Sequence, residues 1–231
     1  MHRQAPVANR FNSLGCAVLK FHQLKTVLRM SYHAFKAAEA LIERYVEEYV
    51  ANNRAAQVLR TLLDDIGIGL RPLIDHITIR TLDVEERAEE FLSAGFIEDI
   101  NLGIVEYDNW WAKVYRRPGL PAVFIDQAYE GERGEGCVIP KWVETFGDKL
   151  LHHIAVNVAD IEKGIAALQK HGIEFAGNIT GERGSALRQI FTKPEMRHGI
   201  AFTVLELTER HWGYTGFRAL QANTLMESTR V

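Results

Sequence analysis

The chain has 231 residues, with 27 lysines and arginines against 30 aspartates and glutamates, and is 47% hydrophobic and 25% charged. That composition belongs to a globular protein with a core sufficient for one domain and a small satellite, and it excludes disordered, collagen-like and coiled-coil chains. A net charge of -3 with both signs interspersed leaves no basic footprint for nucleic acid or for an anionic membrane surface, so the expected partner is a small molecule.

Two cysteines, Cys16 and Cys137, are too few for a disulfide framework or a cysteine zinc site. They point to a reducing compartment, and the expected location is cytoplasmic. Charges interrupt every hydrophobic run before the ~18 apolar residues of a membrane span.

Residues 1–30 carry Arg3, Arg10, Lys20, Lys25 and Arg29, and the first acidic residue is Glu39. We read them as a poorly ordered extension rather than a targeting peptide, with Met30-Ser31 as a natural beginning. Residues 31–72 form a helical segment. Leu41, Tyr45, Val46 and Tyr49 recur at helical spacing, Val58, Leu59, Leu62 and Leu63 repeat the pattern, and Asn52 or Asn53 caps the second helix. Gly67, Gly69 and Pro72 then end the helices, and the sequence turns to β-branched alternation.

The most informative feature is an internal repeat. DHITIRTLDVEERAEEFLSAGFI (Asp75 to Ile97) aligns without a gap on HHIAVNVADIEKGIAALQKHGIE (His152 to Glu174), so that His76 meets His153, Asp83 meets Asp160 and Gly95 meets Gly172. Each copy reads as an alternating strand, an aspartate cap, a short helix and a glycine stop, and each is followed by sequence for three more strands. The fold class is therefore α+β: two βαβββ modules, 73–130 and 150–210, joined by a connecting loop at 131–149. A C-terminal segment, 211–231, closes the site.

His76 and His153 hold the same position in the two first strands, so pseudo-twofold pairing brings them together across one cleft. Glu206, a carboxylate among apolar strand residues in VLELTER, needs a cation if it faces inward. Two imidazoles and a carboxylate with open positions suit non-haem Fe(II), although other divalent metals accept the same donors. Period two places His76, Thr78 and Arg80 on one strand face, and a guanidinium there suits a carboxylate. By the same count His152 points away from His153. Gln189 lies on a strand of the second module, Phe217 helps to close the site, and the sequence leaves open whether Asp126 or Gln127 faces inward.

DHITIRT, LHHIAVNV and VLELTER resemble the vicinal-oxygen-chelate superfamily, whose paired βαβββ modules form a glyoxalase-like half-barrel around one metal. LRQIFTKP (Leu187 to Pro194), VLELTER and GYTGFRAL (Gly213 to Leu220) resemble the C-terminal module of the 4-hydroxyphenylpyruvate dioxygenases. With the preceding helices, WAKVYR, VFIDQ and the ending GYTGF…LMEST, the chain resembles the 2-oxoadipate dioxygenase/decarboxylase family from about residue 32 to 229.

That resemblance implies that His76, His153 and Glu206 bind iron, that Arg80 binds a substrate carboxylate and that Gln189 lies beside the 2-oxo acid. It also implies an oxidoreductase that consumes O2 and converts 2-oxoadipate, an intermediate of lysine catabolism, to 2-hydroxyglutarate with loss of CO2. The chain is shorter than the family's bacterial members, and a fourth ligand used by many superfamily members falls near Asp126 or Gln127. The rival readings are a glyoxalase-like lyase or acyl-CoA epimerase and a small-molecule-binding protein.

Overall fold

The computed structural model describes residues 12–228. Its first element is helix α1, Asn12–Asn52. The expected N-terminal extension is thus helical from Asn12 and continuous with the helical segment, in a stretch without proline. Residues 1–11 lie outside the described residues. The inner face of α1 buries Ala38, Ile42, Tyr45, Val46, Tyr49 and Val50, a stripe of helical period. Helix α2, Arg54–Asp65, starts at Asn53, whose Oδ1 accepts from the Ala56 N–H at 2.9 Å and whose Nδ2 donates to Thr203 Oγ1 at 3.1 Å. The cap therefore also fastens the helical segment to the β-sheet domain.

The repeat appears as two copies of one device. Strand β1, Ile74–Arg80, leads to helix α3, Val84–Ser93, and strand β6, Leu151–Asn157, leads to helix α5, Ile161–Gln169. Asp83 and Asp160 each accept a backbone N–H at 3.0 Å, from Glu86 and Lys163. Gly95 (φ 82°) and Gly172 (φ 76°) follow the helices in the left-handed region that other residues avoid.

The first module continues through β2 (Ile97–Glu98), β3 (Val105–Glu106), β4 (Trp110–Arg116) and β5 (Ala122–Ala128). The second continues through β7 (Phe175–Thr180), β8 (Leu187–Thr192), the hairpin β9 (Met196–Arg197) and β10 (Ile200–Ala201), and β11 (Val204–Arg210). The sheet order is β2-β4-β5-β1-β6-β11-β8-β7. β1 and β6 pair antiparallel at its centre, and each has the last strand of its own module parallel on its outer side.

Alternation along these strands divides the residues between two faces. Ile77, Ile79, Val123, Ile154, Leu205 and Leu207 join the core beneath the helices. His76, Thr78, Arg80, Phe124, Gln189 and Glu206 line a cavity on the other face.

Two further elements pack on that face of the sheet. The connecting segment at 131–149 is not only a loop, because it holds helix α4, Val138–Phe146. Ile139 and Trp142, three residues apart on one helix face, are fully buried, and the indole Nε1 donates to the Phe202 carbonyl at 2.7 Å. The glycines before them hid this helix, while Pro140 is tolerated within its first turn. Helix α6, Ala219–Ser228, lies in the C-terminal segment and places Leu225 and Met226 in the cavity wall.

Candidate metal centre

His76, His153 and Glu206 come together as the sequence spacing anticipates. Each offers one donor atom, and these atoms lie within 4.8 Å of one another. Glu206 Oε2 is 3.6 Å from His76 Nε2 and 3.3 Å from His153 Nε2. Adjacent ligand atoms around a first-row metal lie about 3 Å apart at ordinary bond lengths, so the spacing suits one ion between them.

The charge balance also suits a cation. Burial works to raise the Glu206 pKa, yet His76 and His153 hold it down to about 2. Burial works to lower that of His76, but Glu206 and Asp75 push it up to about 9. His153 goes the other way, to about 4, because burial outweighs its share of the same carboxylate. Gln189 donates from Nε2 to Glu206 Oε1 at 2.7 Å and leaves Oε2 facing the histidines.

Two β-bulges shape what stands behind the histidines. In the β1–β6 ladder the register shifts between Ile74 and His76, which pair with Val156 and Ala155, and again between Thr78 and Ile79, which pair with His153 and Leu151. Asp75 is the extra residue of the first shift and His152 of the second. A bulge lets neighbouring residues share a face, so each reaches the histidine that follows it. Asp75 Oδ2 lies 2.7 Å from His76 Nδ1, and His152 Nδ1 lies 3.0 Å from His153 Nδ1.

The period-two expectation for His152 is therefore corrected: it lines the cavity and is 3% exposed. Burial pushes its pKa far down, so it faces the cavity as a neutral ring. Arg210 completes the other branch, donating to Asp75 at 2.7 and 2.9 Å and to the Gly216 carbonyl at 2.8 Å. This ties the chain leading to Phe217 to the His76 side of the site. Phe217 meets the His76 ring edge-on at 5.0 Å between centroids. Asp75 and Arg210 went unnoticed in the sequence, although a polar residue precedes the histidine in both repeats.

Arg80 lies on the expected face and is 3% exposed, and its Nη2 donates to Met226 Sδ at 2.9 Å. The inward residue of the Asp126-Gln127 pair is Asp126, which lines the cavity. Gln127 turns away, and its Oε1 accepts from the Val84 N–H at 2.7 Å. Neither holds the place equivalent to Glu206. His76 pairs with Ala122 and His153 with Val204, so the counterpart of Glu206, two residues on, is Phe124. The position where a fourth ligand would stand carries a phenyl ring.

No family model matches this sequence, and neither does any curated protein. Solved structures do resemble the fold. The hydroxyglutarate synthase of Oryza sativa in complex with 2-oxoadipate aligns at TM-score 0.63 and 15% identity, over 85% of this chain and 93% of that one. A candidate hydrolase from Shewanella frigidimarina aligns at 0.65 and 18%, over 79% and 98% of the two chains. A candidate glyoxalase-superfamily protein from Ralstonia eutropha aligns at 0.61 and 10%, over 79% and 86%.

The chain thus has the glyoxalase-like fold of the vicinal-oxygen-chelate superfamily. Within that fold it carries a buried His-His-Glu centre able to hold a divalent metal. Among the described residues no helix is long and apolar enough to cross a membrane.

Proposed function

We propose that the protein is an Fe(II)-dependent dioxygenase that decarboxylates a small 2-oxo acid, with 2-oxoadipate and O2 giving 2-hydroxyglutarate and CO2. The observation that carries this reading is a three-residue donor set with Arg80 in the wall of the same cavity and Phe124 in place of a fourth ligand. Three protein donors leave coordination positions open for a chelating 2-oxo acid and for dioxygen. The likeness in fold to a hydroxyglutarate synthase solved with 2-oxoadipate supports the same choice.

His76, His153 and Glu206 would hold the metal, which when bound supplies Lewis-acid polarisation of the 2-oxo acid and the redox chemistry of O2. The chain's other residues bind and orient. Arg80 fixes the far carboxylate, which keeps the reacting carbon at one distance from the centre. Gln189 holds Glu206 by one oxygen and borders the 2-oxo acid. Phe124 and Phe217, 4.9 Å apart between ring centroids, shut water out above His76.

A glyoxalase-like lyase or acyl-CoA epimerase would need a proton-transferring carboxylate beside the metal, and the one observation in its favour is the inward Asp126. The test is oxygen uptake by anaerobically Fe(II)-loaded protein across a panel of 2-oxo acids, with His153→Ala alongside. Uptake matched by CO2 for one acid, and lost in the variant, is the expected result. Metal binding without uptake for any acid would sink the oxygenase reading and leave the lyase or epimerase.

A further inference from the structure

Besides the histidines and Glu206, the cavity wall holds three buried polar atoms with no hydrogen-bond partner: Arg80 Nε, Asp126 Oδ1 and the Tyr107 hydroxyl oxygen. They come from β1, from β5 and from the turn before β4, and all three residues border the same cavity. Arg80 and Asp126 are register partners, and each is at most 3% exposed. One unsatisfied buried polar atom costs about 1–3 kcal/mol, and native folds hold few of them. Three around one cavity, one a donor and two able to donate or accept, mark the place of a polar group that comes from outside the chain.

We propose that Arg80 and Asp126 form a two-sided clamp for the far carboxylate of the ligand, with one proton held between that carboxylate and Asp126. The inference rests on the 2-oxo acid reading and adds a second specificity residue to it. Arg80 alone can balance one negative charge. A ligand carboxylate beside an ionised Asp126 would leave a second charge uncompensated in a dry pocket, and two such carboxylates settle the conflict by sharing a proton.

The surroundings of Asp126 favour that outcome. Burial pushes its pKa up to about 7 against the opposing pull of Arg80. Tyr107 faces it from the turn before β4, its own pKa raised by burial. Cys137 at the start of α4 and His152 and His153 on β6 also face Arg80. Among the described residues no second lysine or arginine lines the cavity. A proton enters with the ligand above neutral pH, and Asp126 in its protonated form donates to the carboxylate that Arg80 holds.

The experiment is calorimetric binding to the Fe(II)-loaded protein without oxygen, in buffers of different ionisation enthalpy between pH 6 and 9. Two ligands are compared, 2-oxoadipate and 2-oxohexanoate, which has the same carbon chain without the far carboxylate. The expected result is uptake of about one proton with 2-oxoadipate above the Asp126 pKa, its affinity falling about tenfold per pH unit there, and no such uptake with 2-oxohexanoate. Asp126→Asn, whose amide donates without a proton, should bind 2-oxoadipate with an affinity flat in pH. Proton uptake in the wild type tests the idea even if that variant does not fold. Tight 2-oxoadipate binding with no proton taken up overturns the clamp and leaves the 2-oxo acid reading intact, whereas binding of neither acid overturns both.

Discussion

Asp75 and His152 hold equivalent places in the two modules: each is the extra residue of a β-bulge, and each meets Nδ1 of the histidine that follows it, at 2.7 and 3.0 Å. The two modules thus share a device, a bulge that turns the preceding residue toward the histidine of the candidate centre, with different chemistry in each. On one side the partner is a carboxylate anchored by Arg210, and on the other it is an imidazole kept neutral by burial. A histidine that donates from Nδ1 is fixed in the tautomer that offers Nε2 to a metal. Removing either partner should weaken metal binding about 10- to 100-fold. Competition with a chromophoric chelator on Asp75→Asn and His152→Phe measures this, and wild-type affinity in both would show that the bulges do not orient the ligands.

Phe124 in the place equivalent to Glu206 leaves the candidate centre with three protein donors. Phe124→Glu should supply a fourth donor. Its metal affinity should rise at least about tenfold and its affinity for 2-oxo acids should collapse, because a chelating ligand loses a coordination position. Metal titration followed by ligand titration separates the two effects. A variant that gains no metal affinity would mean that the strand register does not bring this position to the ion.

How much of this was legible in the sequence follows from which rules are local. The repeat gave both strands, both aspartate caps, both glycine stops and the meeting of His76 with His153, because each rests on spacing within a few residues. Arg80 followed from alternation, and Glu206 from the cost of a carboxylate among apolar strand residues. What alternation missed is what breaks it: a bulge moves one residue across the sheet, so Asp75 and His152 fell on the wrong side of a period-two count. Helix α4 was hidden because Gly131, Gly134, Gly136 and Pro140 suggest a loop, whereas the burial of Ile139 and Trp142 depends on the sheet beneath them. The equivalence of Phe124 and Glu206 needed the pairing of β5 with β1 and of β11 with β6, which no single segment encodes.

Asp126 should make stability depend on pH in a direction opposite to that of most carboxylates. Its folded pKa, pushed up by burial to about 7, lies above the ordinary value of 3.8. For a raised pKa the unfolded chain gives up its proton first, so the contribution is fully present below about pH 4 and is lost as pH rises through 7. Asp126→Asn removes this dependence. The melting temperature of the variant relative to the wild type should therefore climb between pH 4 and 8, whatever the offset from leaving Arg80 without a counter-charge. A difference constant across that range would place the Asp126 carboxyl at an ordinary pKa.

Met226 occupies the guanidinium of Arg80 inside the cavity. The cavity between the triad and Arg80 measures about 40 Å³, room for a few waters and far below the roughly 300 Å³ and more that pockets for organic ligands enclose. Met226 on α6 lines it and accepts from the Arg80 guanidinium through Sδ at 2.9 Å, the contact a ligand carboxylate would make more strongly. On the proposed function a 2-oxo acid would have to push this thioether aside, and the work of doing so would be subtracted from its affinity. Met226→Ala should tighten and speed the binding of 2-oxo acids with a far carboxylate at a cost in stability of about 2–5 kcal/mol. Met226→Glu should do the reverse, holding Arg80 with a carboxylate of the chain's own and excluding those acids while metal binding persists. Stopped-flow binding to both variants measures the effect, and equal on-rates in Met226→Ala and the wild type would mean that α6 is not what a ligand has to move.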